Sequence, residues 1–208
     1  MAVPSEPYPD QVGQAHLKPP WSGATIIVFE PTRTAHRIVE YALLSGGRRI
    51  AEMLQLRPKR LWRAVNPTLT TYAHATVDRE GRRAILVNRG PMLGRVRIVV
   101  RASDGSILGY IVAQSWRRSR TFRVNGNGGE HLAVIRAEGR LGRVLEWSAS
   151  MPTPISEEVV AQLTSTTEGV LPPIPIRYVL SLSDRVGEPL ASLLIAAVIG
   201  LHTAHNYP

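Results

Sequence analysis

Short runs that alternate apolar and polar residues fill most of the chain and predict β-strands. Gly, Asp, Asn or Ser residues separate neighbouring runs, and a run, a turn and a second run are typical of a β-hairpin. The predicted strands are 24–29, 35–44, 49–56, 72–77, 84–88, 95–102, 107–114, 121–124, 131–137, 143–149 and 176–182. Between the last two, 152–175 is less regular, and 159–163 fits either a short helix or a strand. We therefore expect about ten to twelve strands.

A glycine recurs in the predicted turns at a fixed interval. Gly81, Gly105 and Gly129 are 24 residues apart, and apolar residues follow each of them at offsets of three and six. Gly47 has the same offsets, and the longer gap after it leaves room for an insertion at 57–67. The apolar residues at these offsets are Ile50 and Met53, Ala84 and Val87, Leu108 and Ile111, and Leu132 and Ile135. A repeat of this length is one hairpin plus its connection, so it predicts a meander of antiparallel strands.

The last apolar segment, from Leu190 to Leu201, has a different pattern. It is apolar on every face of a helix, with Ser192 and Gly200 as small exceptions, and Pro189 suits the first helical position. A helix of this kind must be buried in a core or in lipid. At about 1.5 Å per residue it spans roughly 18 Å, against roughly 30 Å of bilayer hydrocarbon. We therefore predict a buried core helix in preference to a membrane anchor.

The strands and the helix together predict the fold class. A long meander either packs as two sheets or closes on itself, and closure removes exposed edges. A barrel of about twelve strands is too wide for its own side chains to fill, and the apolar helix supplies the missing core. We therefore predict a mainly β protein, a closed antiparallel barrel of about twelve strands around a buried hydrophobic C-terminal helix.

The order of these elements resembles the tubby C-terminal-like superfamily, and within it the phospholipid scramblase and LURP-one-related branch. The resemblance rests on the hairpin repeats at 77–87, 100–112 and 123–135, and on the strand at 178–184 followed by the apolar helix. It implies a closed barrel around a central hydrophobic helix. Members of the superfamily are linked to phosphoinositide binding, to lipid scrambling or to no assigned role, so the resemblance implies the fold better than the function.

The chain departs from the scramblase pattern in two ways. Scramblases have a cysteine-rich palmitoylation segment, and this chain has no cysteine. It also has no acidic calcium loop, because Asp78, Asp104 and Asp184 are single turn acids, far from the dense oxygen ligation that calcium requires. We therefore do not expect calcium-activated scrambling.

The charge of the chain favours an anionic partner. Lys and Arg number 25 against 16 Asp and Glu, a net charge of +9, and every basic residue except Lys18 and Lys59 is an arginine. Such an excess favours binding to a membrane surface, nucleic acid or an acidic protein. The alternative is a genome-wide preference for arginine, which would leave the surface basic but unoccupied.

Composition also sets the expected domain limits. Residues 1–20 contain five prolines and few large apolar residues, so we expect a disordered Pro-rich tail and no signal peptide. The barrel domain is expected over 21–208. The absence of cysteine excludes disulfides, thiolate catalysis and cysteine-ligated zinc.

Two clusters of basic and aromatic residues fall between predicted strands, where binding residues tend to lie. The first cluster, 56–63, surrounds Trp62 with cations, and the second, 115–123, surrounds Trp116 and Phe122. Arginine matches phosphate oxygens bidentately, and tryptophan favours the membrane interface, so Trp62 and Trp116 are predicted to enter that interface. The cations predicted to contact phosphate are Arg57, Lys59, Arg60, Arg63, Arg117, Arg118, Arg120 and Arg123. The alternative is two solvated loops with tryptophans packed against the barrel rim.

Further arginines extend this positive face if they point outwards. They are Arg82, Arg83, Arg95, Arg97 and Arg101. Alternation places the last three on one face of a strand. An outward barrel face needs polar residues in any case, so this pattern also fits a simple solvated surface.

The sequence favours a binding function over catalysis. It contains no nucleophile elbow, no two-histidine-plus-acid pattern and no plausible carboxylate pair, so we expect no catalytic residues. His202 and His205 lack a third ligand, so we expect no metal and no cofactor. The leading hypothesis is a non-enzymatic module that binds anionic phospholipid, including phosphoinositide. The alternatives are a nucleic-acid-binding protein that uses the same basic surface, and a scaffold barrel with no charged ligand.

The same hypothesis sets the expected location. We expect no transmembrane span. We expect a cytoplasmic protein, with peripheral attachment to the inner membrane surface if the lipid hypothesis holds.

Overall fold

The computed structural model describes residues 18–35, 38–56, 72–89, 96–113, 121–141, 144–167 and 176–206. The strands are β1 (Ile26–Ala35), β2 (Ile38–Ser45), β3 (Arg48–Leu56), β4 (Tyr72–Asp78), β5 (Arg83–Arg89), β6 (Val96–Ala102), β7 (Ile107–Ala113), β8 (Thr121–Gly126), β9 (His131–Leu141), β10 (Val144–Pro152), β11 (Glu157–Thr167) and β12 (Ile176–Leu182). The helix is α1 (Leu190–Asn206). Every predicted strand corresponds to an observed strand, and the segment 159–163 lies within β11. The predicted tail at 1–20 falls, apart from 18–20, outside the described residues.

The strands form one closed antiparallel barrel. Each strand pairs with the next along the chain, and β1 pairs with β12 to close the ring, with Phe29 opposite Tyr178. The predicted fold class is therefore confirmed. Because strand direction alternates, the connections after β2, β4, β6, β8 and β10 lie at one end of the barrel, which we call the turn end. Strands β3, β5, β7, β9 and β11 end at the opposite end of the barrel, which we call the loop end.

Three hairpin turns at the turn end have the same geometry. Gly81, Gly105 and Gly129 have φ angles of 77°, 87° and 86°, in the left-handed region that glycine adopts without a steric penalty. Each glycine N–H donates a hydrogen bond of 3.1 Å to the carbonyl oxygen three residues earlier. A register shift precedes each turn, at Thr76/Val77, Val100/Arg101 and Val124/Asn125. The predicted repeat is confirmed, except that the earlier copy turns on Gly46 and Gly47, which both have positive φ.

Helix α1 fills the barrel. Every residue from Leu190 to Val198 is at most 7% exposed, so the helix is covered around its whole circumference. The alternate inward residues of the strands supply this cover, as Ile85 and Val87 do on β5. The prediction of a buried core helix is confirmed, although α1 continues to Asn206, beyond the predicted end at Leu201.

Trp21 anchors the start of α1 at the turn end of the barrel. Its indole is 1% exposed, and Nε1 donates hydrogen bonds to Glu188 Oε1 at 3.0 Å and to Ser192 Oγ at 3.2 Å. Ser192 Oγ in turn donates to Glu188 Oε2 at 2.7 Å. The segment before β1 is therefore tied to the first turn of the helix by a buried aromatic ring and a small hydrogen-bond network.

At Gly109, strand β7 lies close to both β8 and α1. A Cβ atom at this position would lie 2.3 Å from the carbonyl oxygen of Asn125 on β8, and 3.0 Å from Leu193 Cδ1 on α1. The Leu193 side chain could shift, but the Asn125 carbonyl belongs to the paired backbone of the neighbouring strand.

We expect Gly109→Ala to lower the free energy of unfolding by about 1–3 kcal/mol, because the added methyl group forces β7 and β8 apart. Urea denaturation followed by circular dichroism measures the change. Gly187→Ala is the matched control, because a Cβ there meets no atom within 4 Å and Gly187 has no positive φ. Equal stability of the two variants would contradict the close approach at Gly109.

Candidate anion-binding surface

The two predicted basic–aromatic clusters follow strands that end at the same end of the barrel. Leu56 ends β3 and Ala113 ends β7, and both strand ends lie at the loop end. Among the predicted site residues, only Arg123 is described, and it is exposed on β8. The remaining predicted site residues lie outside the described residues: Arg57, Lys59, Arg60, Trp62, Arg63, Trp116, Arg117, Arg118 and Arg120.

Several exposed arginines are neutralised by carboxylates, among them Arg136 on β9, Arg177 on β12 and Arg185 after β12. In this part of the barrel, ion pairs join residues of different strands, such as Arg136 on β9 and Glu157 on β11. The described arginine–carboxylate pairs are Arg49–Glu52, Arg82–Asp78, Arg82–Glu80, Arg136–Glu157, Arg177–Glu30 and Arg185–Glu158. These arginines have a local counter-ion and so contribute little net positive field.

The pKa shifts follow the same pairs. The hydrogen bonds that Arg136 donates to Glu157 lower the pKa of Glu157 and raise the pKa of Arg136. Burial acts to raise the pKa of Asp78, but hydrogen bonds from Arg82 and from the Glu80 backbone outweigh it, and the pKa is lowered. Asp78 and Glu157 therefore stay ionised at neutral pH and hold Arg82 and Arg136 in place.

A second group of arginines has no carboxylate partner among the described residues, and it occupies one side of the barrel. Its members lie on β3 to β8 or in the turns between these strands: Arg48, Arg79, Arg83, Arg97, Arg101 and Arg123. Some use their guanidinium groups on backbone carbonyls, as Arg83 does on Ser103 at 2.9 Å and Arg101 on Gly105 at 3.0 Å. A carbonyl fixes the side chain but does not cancel its charge. We call the outer surface of β3–β8 the basic wall.

The clearest feature of the basic wall is a row across β6, β7 and β8. Val112 of β7 pairs with Arg97 on one side and with Arg123 on the other. Ile98 next to Arg97, and Phe122 and Val124 on either side of Arg123, are buried in the core, so both arginines face outwards, as alternation predicts. The guanidinium carbon of Arg97 lies 3.5 Å from the centroid of the Tyr110 ring, which is a cation–π contact.

Part of this surface could not be predicted from the sequence. Arg48, Arg79 and Tyr110 carry no motif, and their only sequence signal is a position in a repeat turn or on the outward face of a strand. The contact between Arg97 and Tyr110 depends on the β6–β7 register. Arg95 lies outside the described residues, so its predicted place beside Arg97 stays a prediction.

Two other kinds of site are not found among the described residues. No helix among them combines the length and the apolarity needed to cross a bilayer. No group of three or more His, Asp or Glu side chains in the described ranges is arranged to hold a metal ion. The side chains of His202 and His205 are outside those ranges.

Comparison with protein-family models, with curated proteins and with solved structures finds no match to this chain. The resemblance to the tubby C-terminal-like superfamily therefore stays a prediction, while the barrel itself stands on the structure.

Proposed function

We propose that this protein is a non-enzymatic module that binds anionic phospholipid surfaces through the basic wall and the adjoining connections at the loop end. The observation that supports this proposal is the separation of the arginines. Arg136, Arg177 and Arg185 have carboxylate partners, whereas the arginines without one, among the side chains that the structure describes, lie on β3 to β8 or in the turns between these strands. A set of uncompensated cations on one side produces a directed positive field, which net charge alone does not.

The loop end adds to this field in the proposal. The connections after β3 and β7 contain Arg57, Lys59, Arg60, Arg63, Arg117, Arg118 and Arg120, together with Trp62 and Trp116. In our proposal the cations contact phosphates and the two tryptophans enter the interface, where indole rings are favoured. Each basic residue near an anionic leaflet contributes about 1 kcal/mol, and this contribution falls as salt is added.

Vesicle binding tests the proposal through two triple variants of equal net charge. The first removes charge from the basic wall by Arg83→Gln, Arg97→Gln and Arg123→Gln. The second removes it from the paired arginines by Arg136→Gln, Arg177→Gln and Arg185→Gln. We expect the first variant to bind phosphatidylserine vesicles roughly 100-fold more weakly than the parent protein, since about 3 kcal/mol is lost. We expect a much smaller change for the second.

Co-sedimentation with vesicles at low salt measures the affinities, and circular dichroism checks that both variants fold. Equal losses in the two variants would show that overall charge alone drives binding, and would contradict a localised surface. Negligible binding of the parent protein to anionic vesicles would contradict the proposed function. Tighter binding to random duplex DNA than to vesicles at the same salt concentration would favour a nucleic-acid partner instead.

A further inference from the structure

The Arg97–Tyr110 contact holds one guanidinium group in a defined place on the basic wall. Tyr110 is the diagonal neighbour of Arg97, because Arg97 pairs with Val112 two residues further along β7. The Arg97 side chain therefore leans from β6 over β7, with its charged carbon 3.5 Å from the ring centroid. A guanidinium stacked by its face leaves the N–H groups at its edge available for a ligand.

Arg123 lies on the other side of β7, in the direction towards which Arg97 leans. Its strand partner is Val112, and Asn125, two residues further along β8, is the partner of Tyr110. Two strand spacings separate the Cα atoms of Arg97 and Arg123, roughly 10 Å, so the long side chains of both residues can reach one ligand above β7. Val112, which lies between them on β7, has a short apolar side chain.

No carboxylate competes for this space among the described residues. The outward neighbours of Arg123 are Val112 on β7 and Val134 on β9, with Thr121 and Asn125 along its own strand. Both arginines are exposed, and neither forms an ion pair with a described Asp or Glu. The two like charges repel one another, and a bound anion reduces the repulsion.

We propose that Arg97 and Arg123 form a clamp for a single phosphate monoester dianion, with Val112 as its floor and Tyr110 as the support for Arg97. A guanidinium fork binds two oxygens of a tetrahedral anion. Two forks on one phosphorus therefore need at least three non-bridging oxygens, which a monoester has and a diester lacks. The clamp rests on the proposed function, and it adds a preference for headgroups with a terminal phosphate.

The first test compares two kinds of vesicle adjusted to equal zeta potential, one containing phosphatidic acid and the other phosphatidylserine. We expect about tenfold tighter binding to phosphatidic acid, as charge-assisted hydrogen bonds predict. In the variant Arg97→Lys with Arg123→Lys, which keeps the net charge, the ratio should fall to about one while phosphatidylserine binding persists. Arg177→Lys with Arg185→Lys is the matched control and should keep the tenfold ratio. Tyr110→Leu should reduce the ratio without changing the charge.

The second test replaces the vesicle with inorganic phosphate, and reads the amide NMR signals of Tyr110, Val112 and Arg123 at constant ionic strength. Saturable shifts in the parent protein and their loss in the double lysine variant are expected. Shifts with free phosphate but no preference for phosphatidic acid would assign the clamp to soluble phosphate esters. An equal ratio for the parent protein and the double lysine variant, together with no phosphate shifts, would overturn the clamp while leaving anionic binding intact. Failure of the parent protein to bind either vesicle would instead overturn the proposed function.

Discussion

Replacing Trp21 with alanine is expected to lower the free energy of unfolding by about 3–5 kcal/mol, the range for loss of a large aromatic side chain from a core. Trp21 is 1% exposed, and its ring belongs to the same core cluster as the residues of α1. The substitution also removes the donor that serves Glu188 and Ser192, so part of the network at the start of the helix loses its partner.

Urea denaturation measures this change, and Trp21→Phe separates its two causes. Phenylalanine keeps most of the ring but has no N–H, so we expect a loss of only about 1–2 kcal/mol, the cost of unmet hydrogen bonds. If Trp21→Ala cost less than Trp21→Phe, or if both were neutral, Trp21 would not be the anchor that its contacts indicate.

Leu193→Ala is expected to have an effect of similar size, about 3–5 kcal/mol. Leu193 is 0% exposed near the middle of the buried part of α1, and it faces Gly109 of β7. The cost of a cavity depends on how far the surroundings collapse into it. A closed ring of paired strands has no edge that can move inwards by itself, so we expect a value in the upper part of the usual range for Leu→Ala.

Two further variants control for this measurement. Leu193→Met keeps the volume and should cost less than about 1.5 kcal/mol. Val159→Ala removes two methyl groups from a residue that is 51% exposed, so its effect should be within about 0.5 kcal/mol. A Leu193→Ala protein as stable as the Val159→Ala protein would be incompatible with a helix packed inside the barrel.

Most of the fold could be predicted because the pattern of side chains and the backbone geometry agree. β11 is the instructive exception. Ala149 pairs with Ala161 and Ser150 with Val159, so Val160 is an extra residue in the bulge between them. Val160 and Ala161 are both buried at 2% and 4% exposure, which breaks the alternation and makes the segment fit a helix as well as a strand.

The end of α1 was harder to predict for a related reason. The apolar pattern ends at Leu201, where the need for burial ends, but helical backbone hydrogen bonding continues to Asn206. Hydrophobic patterning reports which residues are buried, so it marks the buried length of a helix, which differs from its full length.

The candidate surface could be predicted only in outline. The abundance of arginine is visible in the sequence, but the contribution of each arginine depends on its neighbours in space. Arg136 meets Glu157 and Arg177 meets Glu30 because of strand pairing between distant parts of the chain. Without the register, a neutralised arginine and an uncompensated one look the same, and the unpartnered set on β3–β8 could not be recognised.

The pairing of β1 with β12 has a consequence for the folding of the nascent chain. The first and last strands of the ring are about 150 residues apart in sequence, and the helix that fills the ring follows the last strand. The early strands are synthesised well before β12 and α1. Their apolar inner faces therefore stay uncovered until these two elements follow. Folding of such non-local pairings is slow, and the waiting strands are prone to aggregate. Of the described elements, β12 and α1 are therefore the last to be synthesised, and they supply the closing strand and the core.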